Sequence, residues 1–133
     1  MNVINLLREG EVPRQVLKSK SKIACKFVYL LKDKEGTVIL GPLTKFRYHA
    51  RLVKYFCDRN NIPSGWLKKP DDYRIYDKKY RIIGGGWLEI NYATKAVVIF
   101  GYSTTYGKAP YDKVIKILSI HPDFSEYDIK KRN

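Results

Sequence analysis

The sequence predicts a single α+β domain with two helices and about five or six strands, rather than a doubly wound sheet. Three observations carry this expectation. The β-forming runs gather into hairpins, only two segments show helical spacing, and hairpins separate those two segments instead of alternating with them. A length of 133 residues fits one domain and one hydrophobic core, with no internal repeat and no Ser/Gly-rich linker to divide it. A hydrophobic content of 44%, with 14% aromatics, excludes disorder. The longest apolar runs fall far short of the roughly 20 residues of a membrane helix, so no membrane association is expected.

The elements follow in order. Residues 23–32, IACKFVYLLK, are rich in β-formers, residues 33–36 supply a turn, and residues 37–40 return as a second strand closed by Gly41-Pro42. From Thr44, read as an N-cap, the chain places Tyr48, Leu52, Val53 and Phe56 at helical spacing, with an end expected near Asn60-Asn61 before Pro63. Residues 64–79 mix turn formers, charges and aromatics, which predicts a long exposed excursion with one short strand. A strand at 80–83 leads into Gly84-Gly85-Gly86, and further strands are expected near 87–91 and 96–102, the latter covered on both faces. Pro110 opens a second helix with Val114, Ile117 and Leu118 on one side, and Pro122 ends it. The tail from Asp123 offers a short edge strand.

The N-terminus lacks an apolar stretch of signal-peptide length and carries Glu9 and Glu11, which argues against a presequence. An intracellular location is expected, the cytoplasm first and a mitochondrion as the alternative. Cys25 and Cys57 stand apart without C-x-x-C spacing, as reduced thiols do. The charge is the unusual quantity: 26 Lys+Arg against 13 Asp+Glu, a net +13. Such an excess concentrates polyanions, so nucleic acid, acidic proteins and phosphorylated substrates are all candidate partners, and a general drift toward Lys, Ile, Asn and Tyr is the bland alternative. The densest clusters, Lys18 to Lys22 and Lys130 to Arg132, lie near the termini. They suggest a basic extension (1–22) and a basic tail (130–133) around a domain at 23–129.

The reactive inventory is short. His49 and His121 have no partner at metal-ligand spacing, so neither a metal nor a cofactor is expected. Asp71-Asp72 is better explained by a solvated loop than by an acid/base dyad. The surroundings of Ser103 do not match G-x-S-x-G, and the triple glycine matches neither G-x-G-x-x-G nor a Walker loop. What remains is His49 near a helix start, Lys26 on the first strand, and Ser103 and Thr105 in a glycine-flanked loop. Brought together, they would form a phosphate cradle of N–H groups, hydroxyls and an ammonium beside an imidazole. Taken alone, on periodicity, His49 reads first as a partly buried helix histidine.

The ordered blocks CKFVYLL, YHARL, GGGWLEI, VIFGYSTTYGKA and IHPDF resemble the phosphohistidine phosphatase family, also called the Janus/Ocnus family, over residues 23–129. The resemblance implies a compact α/β fold with a mixed sheet flanked by two helices. It also implies metal-independent hydrolysis of phosphohistidine, and sometimes phospholysine, in a protein or peptide substrate. By the same resemblance His49 is the catalytic histidine and Lys26 the phosphate-binding lysine. Ala50 would offer its backbone N–H, and Ser103 and Thr105 would hold phosphate oxygens. Gly84, Gly85 and Gly86 would let the strand approach the pocket, and Gly101 would free the loop around it. The rim departs from the family pattern: Trp87 stands where Arg is common, Arg51 where an acid is common, Leu40 where an Arg precedes the glycine, and the excursion is longer. These departures suggest a changed substrate, or a phosphatase fold reused to bind RNA or a ribonucleoprotein surface, with Lys68, Lys69 and Arg74 as contacts.

Overall fold

The structure, a computed structural model, describes residues 2–7 and 22–132. Most of segment 1–22, including Lys18 and Lys20, and Asn133 lie outside the described residues. In chain order the elements are β1 (Val3–Asn5), β2 (Lys22–Lys32), β3 (Glu35–Pro42), α1 (His49–Asn60), β4 (Ser64–Lys68), β5 (Asp72–Ile75), β6 (Tyr80–Asn91), β7 (Ala96–Phe100), α2 (Tyr111–Ile120) and β8 (Asp128–Lys131). Six strands form one mixed sheet in the order β1-β3-β2-β6-β7-β8, parallel at its two outer pairs and antiparallel within. The expected α+β class is the one observed. Among the described residues no helix is long and apolar enough to cross a membrane.

Strand alternation sorts the core into two layers. From β2, Cys25, Phe27 and Tyr29 join Leu88, Ile90, Val97 and Ile99 under Val114 and Leu118 of α2. Val28 and Leu30 join Ile39 on the opposite face, under Leu52, Val53 and Phe56 of α1. Each fully buried Leu, Ile or Phe among these contributes about 1.5–3 kcal/mol of hydrophobic stabilisation. Lys26 falls by the same alternation on the α1 face, opposite Trp87 of β6.

Several boundaries differ from expectation. The first helix starts at His49, not after Thr44, because the N–H groups of Lys45 and Phe46 turn back onto the Pro42 carbonyl (3.2 and 2.9 Å). That turn drives Phe46 into the core against Gly41. Tyr48 is extended at φ −124° and 40% exposed, so it leaves the helical face on which it was placed. The helix ends as expected: Asn61 adopts φ 53°, a left-handed cap. The triple glycine does not separate two strands but sits inside the continuous β6. β7 stops at Phe100 rather than 102, since Gly101 turns to φ 70°. The face of β7 carrying Val98 and Phe100 is half-buried, not covered. The excursion is a hairpin, β4–β5, with Tyr73 buried against α1's side of the core. Val3–Asn5 forms an edge strand paired with β3, and Lys130 and Lys131 belong to β8, features that the charge clusters did not reveal. Cys25 and Cys57 are both buried free thiols.

Candidate functional site

Lys26 is placed by register. It lies opposite Trp87 on β6, and its Nζ sits 5.1 Å from the Trp87 ring centre and 5.8 Å from that of Tyr48 while donating to the Arg47 carbonyl. Burial, and then the charge of Arg47, push its pKa below the ordinary lysine value. The ammonium is thus held by π faces and one carbonyl, with no carboxylate pairing it among the described residues, at a place where an anion would be welcome.

His49 is the first residue of α1 and only 8% exposed. Its Nε2 stands 2.9 Å from the Gly86 carbonyl, and since a carbonyl only accepts, Nε2 carries the proton and Nδ1 the lone pair. Burial is the largest influence on its pKa. Repulsion from Lys26 adds to it, the Gly86 bond opposes it, and the value falls to about 4. The ring is therefore neutral at pH 7. No side chain caps the helix at Tyr48 and no acid stands in its first turn, so among the described residues the first-turn N–H groups, those of His49 and Ala50 among them, meet no side-chain acceptor.

The glycines explain how these groups fit. A Cβ on Gly85 would lie 2.8 Å from His49 Cδ2, 2.8 Å from the Phe27 carbonyl oxygen and 3.2 Å from Ser103 Cβ. One on Gly84 would lie 2.7 Å from the Lys108 backbone, and one on Gly86 2.8 Å from the Phe27 ring. So the imidazole packs directly on bare strand, and the loop after β7 packs beside it. That loop is fastened to β6: Gly85 N–H donates to the Gly107 carbonyl (2.9 Å) and Ala109 N–H to the Gly85 carbonyl (3.2 Å). Within it Ser103 and Gly107 bond each other in both directions, and Ser103 Oγ accepts from Tyr106 N–H (3.0 Å). Gly107 takes φ 88°, a conformation few other residues tolerate.

Together these elements enclose a cleft of about 300 Å³ whose lining includes Lys26, His49, Trp87, Ser103 and Thr105. Four of the five residues expected to act on phosphate therefore line one cleft, and the fifth, Ala50, is fully buried next to His49 in the chain and is not among the lining residues. Ser103 is 2% exposed and lines the cleft. Thr105 gives its hydroxyl hydrogen to the Asp71 carbonyl (2.8 Å), a bond it must surrender to donate to a ligand. The residues expected to contact RNA are elsewhere: Lys68 and Lys69 are exposed at the hairpin end, and Arg74 is bound to Asp72 (2.7 Å) outside the cleft.

Sequence inspection missed Arg47, Tyr102, Thr104 and above all Asp71, which also line the cleft. Arg47 was findable as a neighbour of His49, whereas Asp71 arrives only because the hairpin folds back. Tyr106 Oη donates to the Tyr73 carbonyl (2.7 Å) and accepts from Tyr73 N–H (3.1 Å), clamping that hairpin to the loop. Among the described residues no three His, Cys, Asp or Glu side chains gather as a metal site. Residues 12–128 match the family model of the Janus/Ocnus family (Ocnus). No curated protein matches the chain.

Proposed function

The chain belongs to the Janus/Ocnus family, and from that premise we propose that it is a metal-independent phosphatase that cleaves the P–N bond of phosphohistidine, or of phospholysine, in a protein or peptide. One observation carries the proposal: a neutral His49 imidazole at an uncapped helix start faces the same cleft as the Lys26 ammonium, which forms no ion pair among the described residues. A phosphoryl dianion placed there meets Lys26, the first-turn N–H groups of α1 and the Ser103 hydroxyl, which spread its negative charge over fixed donors. The dianion also offsets the repulsion that Lys26 exerts on the imidazole, so the basicity of His49 rises on binding.

The lone pair on Nδ1 then has work to do, because Nε2–H is committed to Gly86. Nδ1 takes a proton from the attacking water, or attacks phosphorus itself to form a phosphoenzyme that water releases. In both routes the P–N bond electrons leave with the substrate nitrogen. The Gly86 bond fixes the ring so that the same nitrogen faces the substrate in every turnover.

The test is release of inorganic phosphate from a phosphohistidine peptide by the purified protein. Turnover well above the spontaneous rate supports the assignment, and none removes it. Acid-labile, base-stable label on the protein during turnover identifies the nucleophilic route.

A second use of the surface has its own observation. A neighbouring cleft of about 430 Å³ shares Arg47 and Tyr48 with the first and adds Lys45, Arg51, Lys54 and Tyr55. Cations beside aromatic rings suit single-stranded RNA. RNA binding there would weaken steeply with salt, about 0.7 power per phosphate contacted, and no binding in dilute salt ends that alternative.

A further inference from the structure

Asp71 is the carboxylate among the residues lining the phosphate cleft, which it shares with Lys26 and His49. Among the described residues no cation stands within ion-pair distance of it. Asp72 beside it is paired with Arg74, Nε to Oδ1 2.7 Å and an N–H donated to Oδ2 at 3.1 Å, while Asp71 forms no ion pair among the described residues and its Oδ1, like that of Asp72, is buried without an aligned hydrogen-bond donor. Nor is Asp71 on a free loop. Its N–H donates to the Lys68 carbonyl (3.2 Å), its carbonyl takes the Thr105 hydroxyl (2.8 Å), and Tyr106 bonds Tyr73 twice just beyond. Backbone contacts thus set an unpaired carboxylate beside a cleft whose other charges favour an anion.

For a phosphate ester that placement is unfavourable, because the carboxylate repels the dianion and the ester offers it nothing to bind. A phosphoramidate differs in one respect. The nitrogen side of its P–N bond carries N–H groups and a positive charge when protonated, and a carboxylate accepts such a hydrogen bond strongly. In phosphohistidine the ring nitrogen not bonded to phosphorus takes this proton from solvent. Cleavage then returns the P–N electrons to the ring, and a neutral imidazole departs with its N–H still in place.

We propose that Asp71 determines specificity for phosphoramidates over phosphate esters by binding the protonated leaving group. This rests on the phosphatase assignment for its chemistry, but selectivity in binding can be measured without turnover. The carboxylate holds the ring in its cationic form, the form from which imidazole leaves readily, and penalises an ester that lacks the N–H.

The test compares wild type with Asp71→Asn, which keeps size and the backbone bonds, using phosphoimidazole, p-nitrophenyl phosphate and inorganic phosphate. In Asp71→Asn, kcat/KM for phosphoimidazole is expected to fall at least about 10-fold while that for the ester holds or rises. Inorganic phosphate is expected to bind as well or better. The basic limb of the kcat profile for phosphoimidazole moves to lower pH, because the bound ring loses the charge that favoured its protonation, and Asp71→Glu recovers part of both effects. An unchanged ratio of phosphoimidazole to ester in Asp71→Asn overturns the proposal. If wild type turns over neither substrate, the phosphatase assignment fails on its own. Direct binding of phosphoimidazole against phenyl phosphate then decides the role of Asp71: preference for the former lost in Asp71→Asn upholds it, and equal preference in both proteins overturns it.

Discussion

His49 is kept neutral by its surroundings, and that makes its titration the most sensitive report on the site. Burial and Lys26 depress its pKa from 6.5 to about 4, so imidazole resonances followed by NMR should titrate near pH 4, and inorganic phosphate should raise the midpoint. A midpoint near 6.5 without ligand would mean an open, solvated ring. The same depression has a consequence for stability. Between about pH 4 and 6.5 the unfolded chain binds a proton at this position that the folded chain refuses. Stability is therefore fully present above 6.5 and is lost as pH falls toward 4, by about 3 kcal/mol at about 1.4 kcal/mol per pH unit. His49→Gln should remove that part of the acid sensitivity, as measured by urea unfolding at pH 7 and pH 4.5. Lys26→Ala should weaken phosphate binding several-fold with the fold intact, since among the described residues this ammonium holds no carboxylate.

At the scale of elements, the bare stretch of β6 decides whether a site exists. Gly85→Ala puts a methyl 2.8 Å from both the His49 ring and the Phe27 carbonyl, and backbone cannot yield there. It should cost about 1–3 kcal/mol by overpacking and abolish phosphate binding, whereas Gly107→Ala, with open space around it, should carry only the cost of its φ of 88°. Denaturant unfolding and phosphate titration separate the two. The hairpin clamp gives a third case: Tyr106→Phe leaves the Tyr73 N–H and carbonyl without their partner, costs about 1–3 kcal/mol, and should loosen Asp71 without touching His49. Strands and helices were legible in the sequence because their apolar periods are local, as at residues 23–32 and 111–120. The helix start was missed because Phe46 answers to the core rather than to helical spacing, and the hairpin because its partners, α1 and Tyr106, are remote in sequence. For the same reason the glycines were recognised as a place of close approach, yet the continuity of β6 through them was not foreseen. Asp71 stayed hidden since adjacent acids look the same in a loop and in a cleft.

Across the described residues the cations gather around the cleft as well as in it: Lys26 and Arg47 line it, Lys45, Arg51 and Lys54 join Arg47 in the adjoining cleft, and Lys108, Lys131 and Arg132 line another that shares Tyr102. A small phosphoramidate touches few of these cations, so its kcat/KM should change little between 50 and 200 mM salt, to about the extent a single charge pair is screened. A phosphopeptide with flanking acidic residues should lose far more. The central claim, that a neutral His49 in a phosphate cradle breaks a P–N bond without a metal, is tested most directly by following phosphohistidine-peptide hydrolysis by ³¹P NMR in excess chelator, for wild type and His49→Ala. The account predicts sustained turnover by wild type and a loss of at least about 100-fold in His49→Ala, the scale of a removed acid/base or nucleophilic group. Equal rates for the two proteins, or turnover that chelator abolishes, would contradict it.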